Sequence, residues 1–131
     1  MAYASIASRG LRAVAAALCV GCLLGSGGQP PEPVAKWRGL TASGTIARNA
    51  EQHWRTPRLS AGSYQFDLSG TGDADLYVRI GSAPTPTTYD CGAIRSSNKS
   101  CFVHLAQPAV IHVMVLGYAP WTTFKLVGRA R

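Results

Sequence analysis

Beyond residue 60, apolar and polar side chains alternate with a period of two along most of the chain. Tyr64, Phe66 and Leu68 alternate with Ser63, Gln65, Asp67 and Ser69. Leu76, Val78 and Ile80 alternate with Asp75, Tyr77 and Arg79, and Cys101, Val103 and Leu105 with Phe102 and His104. Phe124 and Leu126 alternate with Lys125 and Val127. This period puts one set of side chains on each face of a strand, so each run predicts a half-buried β-strand. Val110 to Leu116 is apolar throughout except for His112, the pattern of a strand covered on both faces. Leu40 to Arg48 and Gln52 to Leu59 give weaker strand patterns, and no long segment has helical periodicity.

Turn-forming residues separate these runs: Ser60-Ala61-Gly62, Gly70-Thr71-Gly72-Asp73, Gly81 to Pro86, Gln107-Pro108 and Gly117 to Pro120. About seven short strands at this spacing predict an all-β, antiparallel sandwich.

The first 28 residues have a different pattern. Arg9 and Arg12 precede the apolar run Ala13 to Gly25. That run is shorter than the roughly 20 residues of a membrane-spanning helix. A basic flank and a short apolar core predict a secretory signal peptide over residues 1–28. Two processing routes stay open. Ser26-Gly27-Gly28 offers small residues to an ordinary signal peptidase, whereas Leu18 to Cys22 resembles a lipobox that would lipidate Cys22. The Pro-rich residues 29–36 predict a short tether, leaving 37–131 as the folded domain.

The chain of 131 residues carries 47% apolar and 15% charged residues, enough apolar surface for one small core. Its net charge is +7, and two of the cations, Arg9 and Arg12, lie in the leader. The remaining cations are scattered without basic runs interleaved with aromatics, which argues against nucleic acid. A basic surface in an exported protein fits acidic polysaccharide or lipid head groups, or nothing more than solubility. Beyond the leader, Cys91 and Cys101 form an even pair in an oxidising compartment. Without further ligands at zinc-site spacing, the pair predicts a disulfide worth roughly 2.5–3 kcal/mol by loop closure.

The segment from Leu59 onward resembles the bacterial pre-peptidase C-terminal domain, itself similar to the collagen-binding modules of clostridial collagenases. The resemblance rests on Gly72-Asp73-Ala74-Asp75-Leu76-Tyr77-Val78, on Pro84-Thr85 with Tyr89-Asp90-Cys91, and on the apolar run Val113 to Tyr118. It implies a jelly-roll-like β-sandwich of seven to eight strands and a noncatalytic module of the kind appended to secreted peptidases. The loop between the cysteines departs from the family by carrying Lys99 in place of an acidic residue.

Candidate chemistry is sparse. There is no His-Glu-x-x-His and no Gly-x-Ser-x-Gly, and His53, His104 and His112 are scattered. Asp73 and Asp75, two apart beside a glycine turn, are candidate hard ligands for Ca²⁺, although calcium takes six to eight oxygens. The alternative is that Asp73 caps the turn while Asp75 meets an arginine such as Arg79. Tyr77 and Arg79 on one strand face, with Tyr118 and Trp121 near the C-terminus, form a candidate binding face, since Tyr, Trp and Arg dominate binding hot spots.

These observations predict an exported protein, either secreted or anchored by lipid at the cell envelope. Its expected role is a noncatalytic binding or accessory module contacting an extracellular protein or polysaccharide. A ligand-free structural remnant and a small secreted enzyme or protease inhibitor are the alternatives.

Overall fold

In the computed structural model, residues 30–94 and 99–131 can be described. The expected signal peptide, its candidate processing sites and Cys22 lie outside them. Glu32–Arg131 forms one compact unit. Eight strands are present among the described residues: β1 (Leu40–Ala47), β2 (Glu51–Arg55), β3 (Gly62–Thr71), β4 (Ala74–Ile80), β5 (Cys91–Ala93), β6 (Lys99–Leu105), β7 (Ile111–Gly117) and β8 (Trp121–Ala130). They form two four-stranded antiparallel sheets, ordered β1-β8-β3-β6 and β2-β7-β4-β5.

The pairing is nested: first with last, second with seventh, third with sixth, fourth with fifth. A long antiparallel hairpin folded over on itself gives this order, which is that of a jelly roll. The weak patterns at 40–48 and 52–59 correspond to β1 and β2, edge strands that bury few of their side chains. The remaining predicted runs are strands, and the short β5 is the one the alternation could not show.

The alternation sorts side chains as expected. Phe66, Leu68, Leu76, Val78, Cys101, Leu105, Ile111, Val113, Val115, Phe124 and Leu126 fill the space between the sheets. Trp37 closes one side of this core, its ring 5.7 Å from that of Tyr64 and 6.0 Å from that of Phe66. The chain is also held before Trp37. Glu32 pairs with Arg55 at 2.7 Å, and the Ala35 amide donates to the Arg58 carbonyl. The part of the expected tether from Glu32 to Lys36 therefore lies against the domain, because its polar groups find partners there.

Cys91 on β5 and Cys101 on β6 form a disulfide with a Cα–Cα distance of 5.8 Å. β5 and β6 are edge strands of different sheets. The bond therefore staples the two layers along an edge where no backbone ladder joins them. A domain this small gains proportionately from such a staple.

Candidate functional site

The turn between β3 and β4 places the two aspartates. Gly70 (φ +148°) brings the backbone so close to β8 that a side chain there would collide with the Thr123 carbonyl. Thr122 holds the chain at Asp73: its Oγ1 donates to the Asp73 carbonyl at 3.0 Å and accepts from the Asp73 amide at 3.1 Å. The Asp73 and Asp75 carboxylates then converge on the ammonium of Lys99, at 2.9 and 3.4 Å. Lys99 Nζ also donates to the Ala74 carbonyl. The lysine side chain is only 1% exposed. A buried ammonium is tolerable when its donors are paired, and here three oxygens receive them.

The two aspartates are thus brought together, around a cation supplied by the chain. Asp75 pairs with Lys99 and not with Arg79, whose guanidinium turns to the Ala83 carbonyl at 3.3 Å. The donor set does not suit Ca²⁺, which takes six to eight oxygens. Two carboxylates and one carbonyl are present, and all three already receive the Lys99 ammonium, which offsets one of the two negative charges. Among the described residues, no group of three or more His, Cys, Asp or Glu could hold a metal ion. Lys99, the family departure visible in the sequence, was the signal for this arrangement.

The four residues of the expected binding face fall into two places. Tyr77 and Arg79 do share the outer face of β4. In register across that sheet lie His53–Met114–Tyr77 and Arg55–His112–Arg79. Residues 81–90 cover the β4 side of this face, however, while His53 and Arg55 on β2 stay exposed. The Tyr89 ring lies 5.1 Å from that of Tyr77, Pro84 is fully buried, and the Asp90 carboxylate accepts from the Ile80 amide. Gly92 makes the approach possible, since a side chain there would run into the Tyr89 ring. Tyr77 is 6% exposed and Met114 is fully buried. Tyr77 therefore cannot serve as a contact residue: alternation assigned it to an outer face but could not show that a loop crosses that face. Burial raises the Tyr77 phenol above its ordinary value, with Asp75 and Tyr89 adding to the effect.

Tyr118 and Trp121 are open to solvent, at 65% and 70% exposure, in the β7–β8 turn. Tyr118 borders a depression of about 220 Å³ with Ile94, Asp73 and Asp75. Trp121 begins the outer row of β8, and that row leads to a face that the sequence pattern did not single out.

On the outer face of β1-β8-β3-β6, β8 presents Trp121, Thr123, Lys125, Val127 and Arg129, with Arg131 just beyond. β3 presents Ser63, Gln65, Asp67 and Ser69, and β6 presents Ser100, Phe102 and His104. A polar network fixes these groups. Arg129 pairs with Asp67 at 3.0 Å, Ser100 donates to Asp67 at 2.7 Å, and Gln65 donates to Asp67 at 2.8 Å. Arg131 donates to Gln65 at 2.9 Å, and its guanidinium sits 5.1 Å from the centre of the Phe102 ring. Burial alone would raise the Asp67 carboxyl, but the Ser100 and Gln65 hydrogen bonds and the Arg129 charge outweigh it and hold it below the ordinary range.

This face also joins Ser63 to His104, with Oγ 3.2 Å from Nδ1. No Asp or Glu hydrogen-bonds His104 among the described residues, so the pair lacks the carboxylate that orients a catalytic histidine. His53 pairs with Glu51 at 2.9 Å, and His112 lies between Arg55 and Arg79. His53 and His112 border one depression with Arg55 and Ala83, and His104 lies on the other sheet.

No protein-family model matches the chain. The chain is 37% identical over 104 residues to a zinc metalloprotease of Helicobacter pylori, a match covering 76% of this chain and 41% of that protein. It is likewise 37% identical over 104 residues to the hemagglutinin/proteinase of Vibrio cholerae, covering 76% of this chain and 17% of that protein. A neutral protease of Vibrio proteolyticus is 42% identical over 72 residues, covering 54% of this chain and 12% of that protein. The chain thus spans less than half the length of these relatives. Among solved structures, the periplasmic g-type lysozyme inhibitor PliG of Aeromonas hydrophila has the same fold, with a TM-score of 0.58 at 12% identity over 71% of this chain and 86% of that one. The described residues form an eight-stranded β-sandwich, and the chain is similar to a segment of larger bacterial proteases.

Proposed function

We propose that the chain is a noncatalytic accessory module of the pre-peptidase C-terminal type, working outside the cytoplasm by binding a protein or polymer. The observation that carries this reading is the partial match. Matches of 104 residues cover 41% of one protease and 17% of another, so the matching unit stands beside quite different lengths of other sequence. The site supports it too. The Ser63–His104 pair has no orienting carboxylate, and the aspartates are tied to Lys99. What the surface offers instead is a rigid sheet with fixed polar groups and exposed aromatic rings, the makings of a binding surface.

In this reading the protein is exported, the disulfide serves that compartment, and no metal is required for folding. Anchoring through a lipidated Cys22 is one form the export takes. The test is a graft. The segment of the Vibrio cholerae protease that matches this chain is deleted or replaced by residues 30–131. The reading predicts that both proteins hydrolyse a soluble peptide equally. The graft alone regains turnover of insoluble or surface-bound substrate. Equal activity of graft and deletion on every substrate would overturn it.

A further inference from the structure

We propose that the outer face of the β1-β8-β3-β6 sheet binds an extended polyanionic glycan, a chain of sugar rings bearing carboxylates. The inference deepens the reading as a binding module and rests on it. It starts from an asymmetry between the two sheets. The outer face of β2-β7-β4-β5 is covered over β4 and β7 by residues 81–90, which bury Tyr77 and Met114, and stays open at its β2 edge with Glu51, His53 and Arg55. The opposite sheet carries exposed side chains on all its strands.

Charge selects the ligand class. Lys125, Arg129 and Arg131 follow one another along one side of β8 and are all exposed. At about 3.4 Å per residue they span roughly 20 Å, the scale of an extended polymer. The chain has six Asp and Glu carboxylates, and Asp67 is the one on this face, where Arg129 already neutralises it. With Arg129 and Asp67 offsetting each other, Lys125 and Arg131 carry the net positive charge at the two ends of this row, which attracts and aligns a polyanion.

The groups beside that row favour sugar over acidic peptide. The Ser69 hydroxyl can both donate and accept, and those of Ser63, Ser100 and Thr123, already hydrogen-bonded within the protein, keep lone pairs that accept from a glycan's hydroxyls. Phe102, 57% exposed, and Trp121, 70% exposed, present rings on which sugar faces can lie. Phe102, Ser63, His104 and Arg131 enclose a depression of about 450 Å³. The Arg131–Phe102 and Arg131–Gln65 contacts fix its shape before any ligand arrives, so binding has little ordering left to impose.

The test measures binding of the purified protein to polygalacturonate, with neutral dextran and poly-L-glutamate beside it. The expected result is saturable binding to polygalacturonate and none to dextran. Binding should weaken at least about tenfold when salt rises from about 0.05 M to about 0.5 M. Lys125→Glu should weaken it by about tenfold, and Phe102→Ala by about fivefold, with the melting temperature of both variants close to that of the unchanged protein. Binding to poly-L-glutamate as tight as to polygalacturonate, indifferent to Phe102→Ala, would overturn the glycan assignment in favour of an acidic protein. Absence of binding to both polyanions at low salt would overturn the site itself. Neither outcome touches the graft experiment, which tests the module reading on its own.

Discussion

The Lys99 ammonium lies 2.9 Å from the Asp73 carboxylate, with the lysine side chain almost wholly withdrawn from water. This ion pair joins the first residue of β6 in one sheet to the turn leading into β4 in the other. Losing the lysine would leave Asp75, a largely buried carboxylate, without its counter-charge. Lys99→Ala is expected to destabilise the fold by on the order of 3 kcal/mol, measured by denaturant unfolding. An effect under about 0.5 kcal/mol, the size typical of a surface substitution, would contradict the pairing.

The same geometry bears on calcium. A ligand that binds only the folded state raises the melting temperature. Because the Lys99 ammonium already sits against both carboxylates, millimolar Ca²⁺ is expected to leave the melting temperature unchanged. A rise abolished by Asp73→Ala with Asp75→Ala would show that the ion displaces the ammonium.

The disulfide ties two edge strands that share no ladder. Replacing Cys91 and Cys101 by alanine should cost roughly 2.5–3 kcal/mol. For a domain of this size that lowers the melting temperature by roughly 10 °C or more. Calorimetry of the oxidised protein and the double variant checks this.

Two depressed groups set the acid side of the stability profile. Burial, then the charges of Arg55 and His53, lower His112 below 6.5, so it is neutral in the fold while the unfolded chain begins to protonate. Stability is therefore expected to fall as pH drops below about 6.5, and a His112→Gln variant should lose that part of the slope. Asp67, whose carboxyl is also lowered in the fold, acts further down. Its contribution is complete above the ordinary carboxylate value and disappears as pH falls through its folded value. Unfolding midpoints measured between about pH 2 and pH 8 separate the two, because His112→Gln alters only the upper part and the contribution of Asp67 is lost below the ordinary carboxylate value of 3.8.

Alternation reports the inside and outside of a strand, so β3, β4, β6 and β8 were legible from Tyr64, Leu76, Val103 and Phe124, whereas β7 was legible from the continuous apolar run around Val113. It does not report what crosses an outer face. Tyr77 was correctly opposite Leu76 and Val78, yet Tyr89 lies over it, and no local pattern marks that contact. Nor does it report partners distant in sequence. Lys99 stands 26 residues from Asp73, and the cationic row on β8 meets Phe102 only once the sheet order is known. The disulfide was legible because Cys91 and Cys101 had no competing partner beyond the leader. The nested strand order was implied by family resemblance, since periodicity alone carries no topology.

The central claim is that this sandwich binds and does not cut. The Ser63–His104 pair is the place where that claim is most exposed. The deciding measurement is hydrolysis of fluorescein-labelled casein and of a soluble ester by the purified protein and its Ser63→Ala variant. Neither is expected to release product faster than buffer. Hydrolysis by the unchanged protein that disappears in Ser63→Ala would contradict the claim.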